Sequence, residues 1–235
     1  GFSVSYPPFG GNALGLVLLF WSVMAYGYFI GRWRISTTEM EYSHNTIPES
    51  YDGFRIVHIS DLHLSTFDDR PEHVQKIVDR INALEPDLVC FTGDMVTTSV
   101  EEAVPYTSML KSLKSRYGVV SVLGNHDFLI YSHTHRTHSE REKGVKEFVD
   151  YQMDTLGWKV LRNENISITD ESGSTISVIG VDNINGSEQG FKTIERGDLA
   201  KAMTGVGEGF RILLSHDPAH WSHQVVVKTD SPLTL

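Results

Sequence analysis

The chain has 235 residues, of which 40% are hydrophobic and 10% aromatic, enough for a packed core and against global disorder. Its 20 Lys+Arg against 30 Asp+Glu give a formal net charge of −10, the wrong sign for a protein that tracks phosphate backbones, so no nucleic-acid partner is expected. One cysteine excludes an internal disulfide framework and Cys-rich zinc sites, which leaves carboxylate, amide and imidazole as metal donors, with 11 histidines available.

Residue 1 is Gly, and no charged residue precedes Arg32. Residues 13–31 (ALGLVLLFWSVMAYGYFIG) are 19 uncharged positions. As a helix they would span roughly 28 Å at about 1.5 Å per residue, close to the hydrocarbon core of a bilayer. Residues 1–34 therefore read as a membrane anchor, with Trp21, Tyr26, Tyr28 and Trp33 as its aromatics. A buried core helix is the competing reading, but the run is long for one. A cleaved signal peptide lacks its basic leader and its small-residue cleavage site. Arg32 and Arg34 follow the span and nothing basic precedes it, so the positive-inside rule places the rest in the cytoplasm. Residues 35–53 read as a polar linker.

Beyond the linker, residues 54–60 (FRIVHIS), 87–92 (DLVCFT) and 118–123 (GVVSVL) are short β-branched runs typical of buried strands. Between them, Val74, Ile77, Val78, Ile81 and Leu84 keep helical spacing after Pro71, and Pro86 ends the pattern. Residues 101–116 read as a helix with Pro105 in its first turns, and residues 140–156 as another. Strands follow at 158–161, 166–169 and 175–181, the last two joined by a hairpin signal at Asp170-Glu171-Ser172-Gly173. Residues 210–215 (FRILLS), 225–227 and 233–235 complete the expected strands. Alternating β-α-β units followed by hairpins predict an α/β domain with a mixed sheet or two packed sheets.

Polar residues close these strands in a regular way. The first ends in Asp61-Leu62-His63, the second in Gly93-Asp94, the third in Gly124-Asn125-His126-Asp127, and a later one in Ser215-His216. Carboxyl ends of strands share an edge in α/β sheets, so the four loops can converge. The donors suit Mn, Zn or Fe rather than a thiophilic ion. Four such pieces in this order resemble the calcineurin-like metallophosphoesterase superfamily, over residues 54–235, and the upstream apolar run resembles its membrane-anchored bacterial branch. The resemblance implies a β-sandwich flanked by helices in four α/β/β/α layers. It implies a phosphoesterase that hydrolyses a phosphate mono- or diester or a pyrophosphate bond, through a hydroxide bridging two divalent ions. Asp61 and His63 would bind one ion, Asn125 and His216 the other, and Asp94 both. His126 would donate a hydrogen bond or proton to the substrate, and Asp127 would orient His126. A phosphorylated small molecule or lipid-linked compound is the implied substrate and the bacterial inner membrane the implied location, with no obligate protein partner.

The family's final Gly-His-x-His motif has no counterpart before Leu235, which reads as a fragment cut just ahead of it. His133-Thr134-His135, with His138 nearby, lacks the preceding glycine and reads as a solvated loop. A rival class is a non-catalytic metal-binding or regulatory module on the same fold, but such a module has no need of His126 and Asp127. His58 and Cys90 read as structural residues, Asp182 and Asn183 as a turn that could reach the site, and His220 and His223 as peripheral.

Overall fold

The computed structural model describes residues 9–67, 70–135, 137–183, 196–218 and 232–235. They fall into two compact units, 1–41 and 42–235. The first holds α1 (Phe9–Phe29) and a 3-10 turn over Gly31–Trp33. The stretch Ala13–Trp33 is long and apolar enough to cross a membrane, a property signal sequences share. It is unburied along its length, against the core-helix reading. At its end the Arg32 guanidinium lies over the rings of Tyr28 and Trp33, 4.5 and 4.1 Å from their centroids.

The second unit is an α/β fold of two four-stranded sheets. Sheet A joins β1 (Ile56–Ile59), β2 (Leu88–Phe91), β3 (Val119–Ser121) and β4 (Lys159–Val160) in that order, all parallel. Sheet B joins β5 (Glu164–Thr169), β6 (Thr175–Gly180), β7 (Arg211–Leu214) and β8 (Leu233–Thr234). β5 and β6 form the expected antiparallel hairpin, and β6, β7 and β8 run parallel. Strand alternation sorts the side chains. Leu88, Cys90, Val120 and Val122 meet Ile168, Ile176, Val178, Ile212 and Leu214 in one core between the sheets. Ile179 and Leu213 point the other way and pack with Leu199 and Ala202 of α5 (Leu199–Ala202). Burying each such aliphatic side chain is worth roughly 1.5–3 kcal/mol, so the sandwich is the main source of stability.

The helices show where periodicity misleads. α2 (Pro71–Ala83) forms as expected and buries Val74, Val78 and Ile81. The single helix expected over 101–116 is instead a 3-10 stretch, Val100–Tyr106, and one α-turn, α3 (Thr107–Leu110). Pro105 accounts for the break, since it lacks an N–H and crowds the preceding turn. The helix expected over 140–156 starts earlier, as α4 (His138–Asp150) behind a Thr137–Glu140 capping box, and widens into a π-turn over Tyr151–Leu156. Gly157, at φ 76°, ends it.

The linker boundary also needs correction. Residues 42–53 belong to the second unit. Tyr51 is buried in the inter-sheet core, and its hydroxyl donates to the Ile168 carbonyl at 2.6 Å. Ile47 packs on the same core, and the Tyr42 hydroxyl donates to the Pro232 carbonyl at 2.6 Å. The strand expected at 225–227, with His220 and His223, lies outside the described residues.

Candidate functional site

β1, β2 and β3 are parallel neighbours, so the loops leaving their carboxyl ends share one edge. These loops are laced together by backbone bonds: Asp61 N–H donates to Gly93 O at 2.9 Å, His63 N–H to Asp94 O at 3.0 Å and Leu64 N–H to Met95 O at 2.9 Å. The lacing forces left-handed backbone on Asp61 (φ 53°), His63 (φ 41°) and Asp94 (φ 57°). Such strain costs on the order of 1–3 kcal/mol per non-glycine residue and persists where the surroundings over-determine it. The two motif glycines are needed for close approach. A Cβ on Gly93 would overlap the Gly124 backbone nitrogen, and one on Gly124 would overlap Asp94 Oδ1.

Asp127 secures the junction. It is fully buried, and its Oδ2 accepts from the N–H groups of Asp94 (2.7 Å) and Gly124 (3.0 Å). Its Oδ1 accepts from Met95 (3.0 Å) and Val96 (3.3 Å). Burial raises this carboxyl to about 7, the Asp94 charge adds to the rise, and the backbone donors pull the other way. The expected role of orienting His126 does not match these partners. The imidazole is held instead by the Thr97 carbonyl, to which its Nδ1 donates at 2.8 Å.

Thr97 is itself fixed by Glu102, whose carboxylate accepts from the N–H groups of Thr97 (2.6 Å), Thr98 (2.8 Å) and Ser99 (3.1 Å). Burial pushes the Glu102 carboxyl up, but these hydrogen bonds outweigh it and leave the group below its ordinary value. The Ser99-x-x-Glu102 spacing is a capping-box signal and could have pointed to this support from sequence.

The side chains expected to share a site do meet. Ligating atoms of Asp61, Asp94 and His216 lie within 4.8 Å of one another, as do those of His63, Asp94 and His126. Asp94 is common to both groups. Its Oδ2 stands 3.5 Å from His63 Nε2 and 3.4 Å from His216 Nε2, while its Oδ1 accepts from His126 N–H at 2.9 Å. His63 Nε2 also lies 3.8 Å from Asp61 Oδ1, and Asn125 Oδ1 lies 3.0 Å from His216 Nε2. The implied pairs, Asp61 with His63 and Asn125 with His216, are thus both neighbours about Asp94, and Asp61 also stands near His216 and His126 near His63. Asp94 and His216 are the covered members, with 4% and 11% of their side chains exposed, and Asp61 the open one at 57%.

The donor set suits a divalent cation. His216 Nδ1 faces the Thr92 carbonyl at 2.8 Å and must donate to it, so a neutral ring presents a lone pair at Nε2. That lone pair, Asn125 Oδ1 and Asp94 Oδ2 then converge as three acceptors, an arrangement stable only with a positive centre among them. A proton can serve. Burial lowers His216, but Asp94 more than offsets this and raises it to about 9. Asp94 correspondingly titrates below the ordinary carboxylate range, burial opposing and the His216 and His126 contacts prevailing. The Thr92 carbonyl behind His216 is the usual support for a ligating histidine, and the Thr97 hydroxyl stands 3.4 Å from Nδ1 of His63.

The other candidates fall into place around this cluster. His58 is structural, with Nε2 2.7 Å from Thr92 Oγ1. Cys90 is buried in the inter-sheet core, and burial pushes its thiol up to about 12. Among the described residues, neither ligand group includes His133, His135 or His138. His135 Nδ1 instead lies 3.1 Å from Ser132 Oγ, and His138 pairs with Glu142 at 3.5 Å. Asp182 is buried and bound to Arg162. Tyr131 is a residue sequence reasoning missed: its ring packs on His126 at 4.5 Å and its hydroxyl accepts from Asn125 Nδ2 at 3.5 Å.

Strand-end Asp, His and Asn residues from two sheets, gathered on one shared carboxylate, match a known pattern over most of the chain. The model of the calcineurin-like phosphoesterase family matches residues 54–232. The chain belongs to that family. An uncharacterized metallophosphoesterase, YkuE of Bacillus subtilis, is 29% identical over 89% of this chain and 66% of its own length. The zebrafish (Danio rerio) transmembrane protein with metallophosphoesterase domain is 26% identical over 94% of this chain and 48% of its own. A shorter match, 40% identical over 34% of this chain and 24% of the other, is to the UDP-2,3-diacylglucosamine pyrophosphatase LpxG of Chlamydia muridarum. The chain thus spans about half to two thirds of its longer-matching metallophosphoesterase relatives.

Proposed function

We propose that this metallophosphoesterase hydrolyses a phosphate ester or pyrophosphate bond of an amphiphilic, lipid-linked substrate with two divalent ions. Asp61, His63, Asp94, Asn125 and His216 would hold the ions, and Asp94 would serve both. Bound there, the ions would supply Lewis acidity toward a phosphoryl oxygen and an activated water. The supporting observation is the single oxygen, Asp94 Oδ2, set at 3.4–3.5 Å from two imidazole nitrogens that approach from different sheets. Its negative charge offsets the repulsion between two cations, and the amide oxygen of Asn125 adds no further charge.

His126 acts on the substrate. With Nδ1 donating to the Thr97 carbonyl, its Nε2 is the nitrogen left to face the substrate, and in the imidazolium form it donates its proton to the leaving oxygen. The apolar helix α1 suits an anchor that keeps the catalytic unit at a bilayer, on the cytoplasmic side by its flanking arginines. The LpxG match, to a pyrophosphatase of a diacylated sugar nucleotide, supports an acylated pyrophosphate substrate. The test uses the full chain in detergent, stripped with chelator and resupplied with Mn²⁺, on p-nitrophenyl phosphate and its bis-ester. Turnover is expected only with metal, and turnover in chelator refutes the reading.

A further inference from the structure

Arg162, between β4 and β5, has no part in the cluster described above. Its Nε donates to both carboxylate oxygens of Asp182, at 2.6 and 2.9 Å. Asp182 is buried, whereas Arg162 keeps 28% of its side chain exposed. The guanidinium lies over the face of Phe128, 5.3 Å from its centroid. An ion pair along one edge and a ring beneath fix the plane of the group. Among the described residues, its two terminal amino groups have no hydrogen-bond partner. The neighbouring Arg196 lies over the same ring at 5.3 Å, but both of its terminal nitrogens are forked onto Glu142. Among the described residues Arg162 therefore differs from it in presenting an ordered pair of terminal donors that no acceptor occupies, with Glu142 acting on it only through its charge, the geometry that matches a phosphate oxyanion.

Strand register brings the Arg162 backbone to the sheet edge that carries His216. β5 sets Glu164 opposite Gly180, and Asp182 N–H donates to Asn163 Oδ1 at 3.0 Å just beyond. β6 sets Gly180 beside Leu214, and Val181 N–H donates to the Leu214 carbonyl at 3.2 Å, so the same register carried two residues on sets Asp182 level with His216. Neighbouring strands are about 4.8 Å apart, so the backbones of Arg162 and His216 are separated by roughly two strand spacings. From there the Arg162 side chain reaches to Phe128, two residues past His126.

We propose that Arg162 is a substrate-binding residue for a second phosphoryl group, adjacent to the one hydrolysed, and that it favours pyrophosphate linkages over isolated monoesters. The inference rests on the phosphoesterase reading and narrows its substrate class. Asp182 cancels the charge of Arg162 at long range, so the contribution is directional and depends on where the second group sits. The test is calorimetric titration of the Mn²⁺-loaded full chain with methylenediphosphonate and with methylphosphonate, neither of which is turned over. Arg162→Gln keeps a donor toward Asp182. It should weaken the diphosphonate about tenfold, one charge-assisted contact, and leave methylphosphonate within about twofold. Equal weakening of both ligands, or of neither, overturns the proposal. Should the variant not fold, wild-type footprinting decides. Phenylglyoxal modification of Arg162, read by peptide mass spectrometry, should be slowed by methylenediphosphonate alone, and equal rates refute the idea. Failure of the broader reading shows separately, as loss of metal-dependent turnover of p-nitrophenyl phosphate.

Discussion

Replacing Asp127 by alanine removes four acceptor contacts from a fully buried junction. Three of them are 3.0 Å or shorter, and each backbone N–H left without a partner costs about 1–3 kcal/mol. At the low end these three sum to about 3 kcal/mol. The fourth contact adds to this, and release of a buried carboxylate returns part of it. About 3 kcal/mol is a large share of the roughly 5–15 kcal/mol that holds a domain folded, and corresponds to a fall in Tm of about 6–12 °C. The assay is urea unfolding followed by circular dichroism, with chelator present so that metal affinity does not enter. Glu171→Ala, on a side chain 92% exposed in a surface ion pair, is the control and should fall within about 0.5 kcal/mol of wild type. Asp127→Asn keeps one acceptor but aims an amide N–H at a backbone N–H, so it should lose at least half as much as alanine. An Asp127→Ala protein within about 0.5 kcal/mol of wild type would refute the view that this carboxylate joins the loops.

Other consequences are as direct. His126→Ala should lose about 10²–10⁴ in rate with unchanged metal content by atomic absorption, and an unaltered rate would favour the non-catalytic rival. Asp94→Ala should abolish stoichiometric binding of both ions in equilibrium dialysis, and retention of either would show that the shared oxygen is dispensable. Gly124→Ala would drive a methyl group into Asp94 Oδ1, so Mn²⁺ affinity should drop at least about tenfold, and wild-type affinity would contradict the packing. Cys90 should be inert to Ellman's reagent in the native protein and react fully in denaturant. Its folded value of about 12 lies above the ordinary thiol value of 9.0, so the folded state keeps a proton that the unfolded chain gives up. Stability should therefore be unaffected by this group below pH 9 and decline between pH 9 and 12, as unfolding curves at pH 8 and 10.5 would show.

What the sequence discloses follows from which forces are local. The runs 54–60, 87–92 and 118–123 are legible as strands because β-branched residues flanked by turn formers have few alternatives, and Asp170 to Gly173 signals the hairpin for the same reason. Strand-end Asp, His and Asn residues are legible because parallel strands bring their carboxyl ends together. Non-local chemistry is hidden. Asp127 looks like a partner for the adjacent histidine, yet its partners are backbone N–H groups, three of the four in a loop some 30 positions earlier, and these carry no side-chain identity. Thr92 and Thr97 hold His216 and His126 through their carbonyls, a contact that carries no side-chain identity. Tyr51 stands in a polar stretch, and only the closed sandwich reveals the carbonyl its hydroxyl meets. Pro105 marks the break in the sequence itself, but the helical apolar spacing runs on past it and masks the signal.

His216 hangs from sheet B, while Asp61, His63, Asp94, Asn125 and His126 hang from sheet A. A cation gripped by both parties fastens one half of the sandwich to the other. Its loss would be felt as slippage along the whole apolar seam and not only as a silent catalyst. Saturation at one hundred times Kd adds about 2.7 kcal/mol to such a fastening. A melting curve taken across a series of metal concentrations therefore measures occupancy of this centre before any substrate is known.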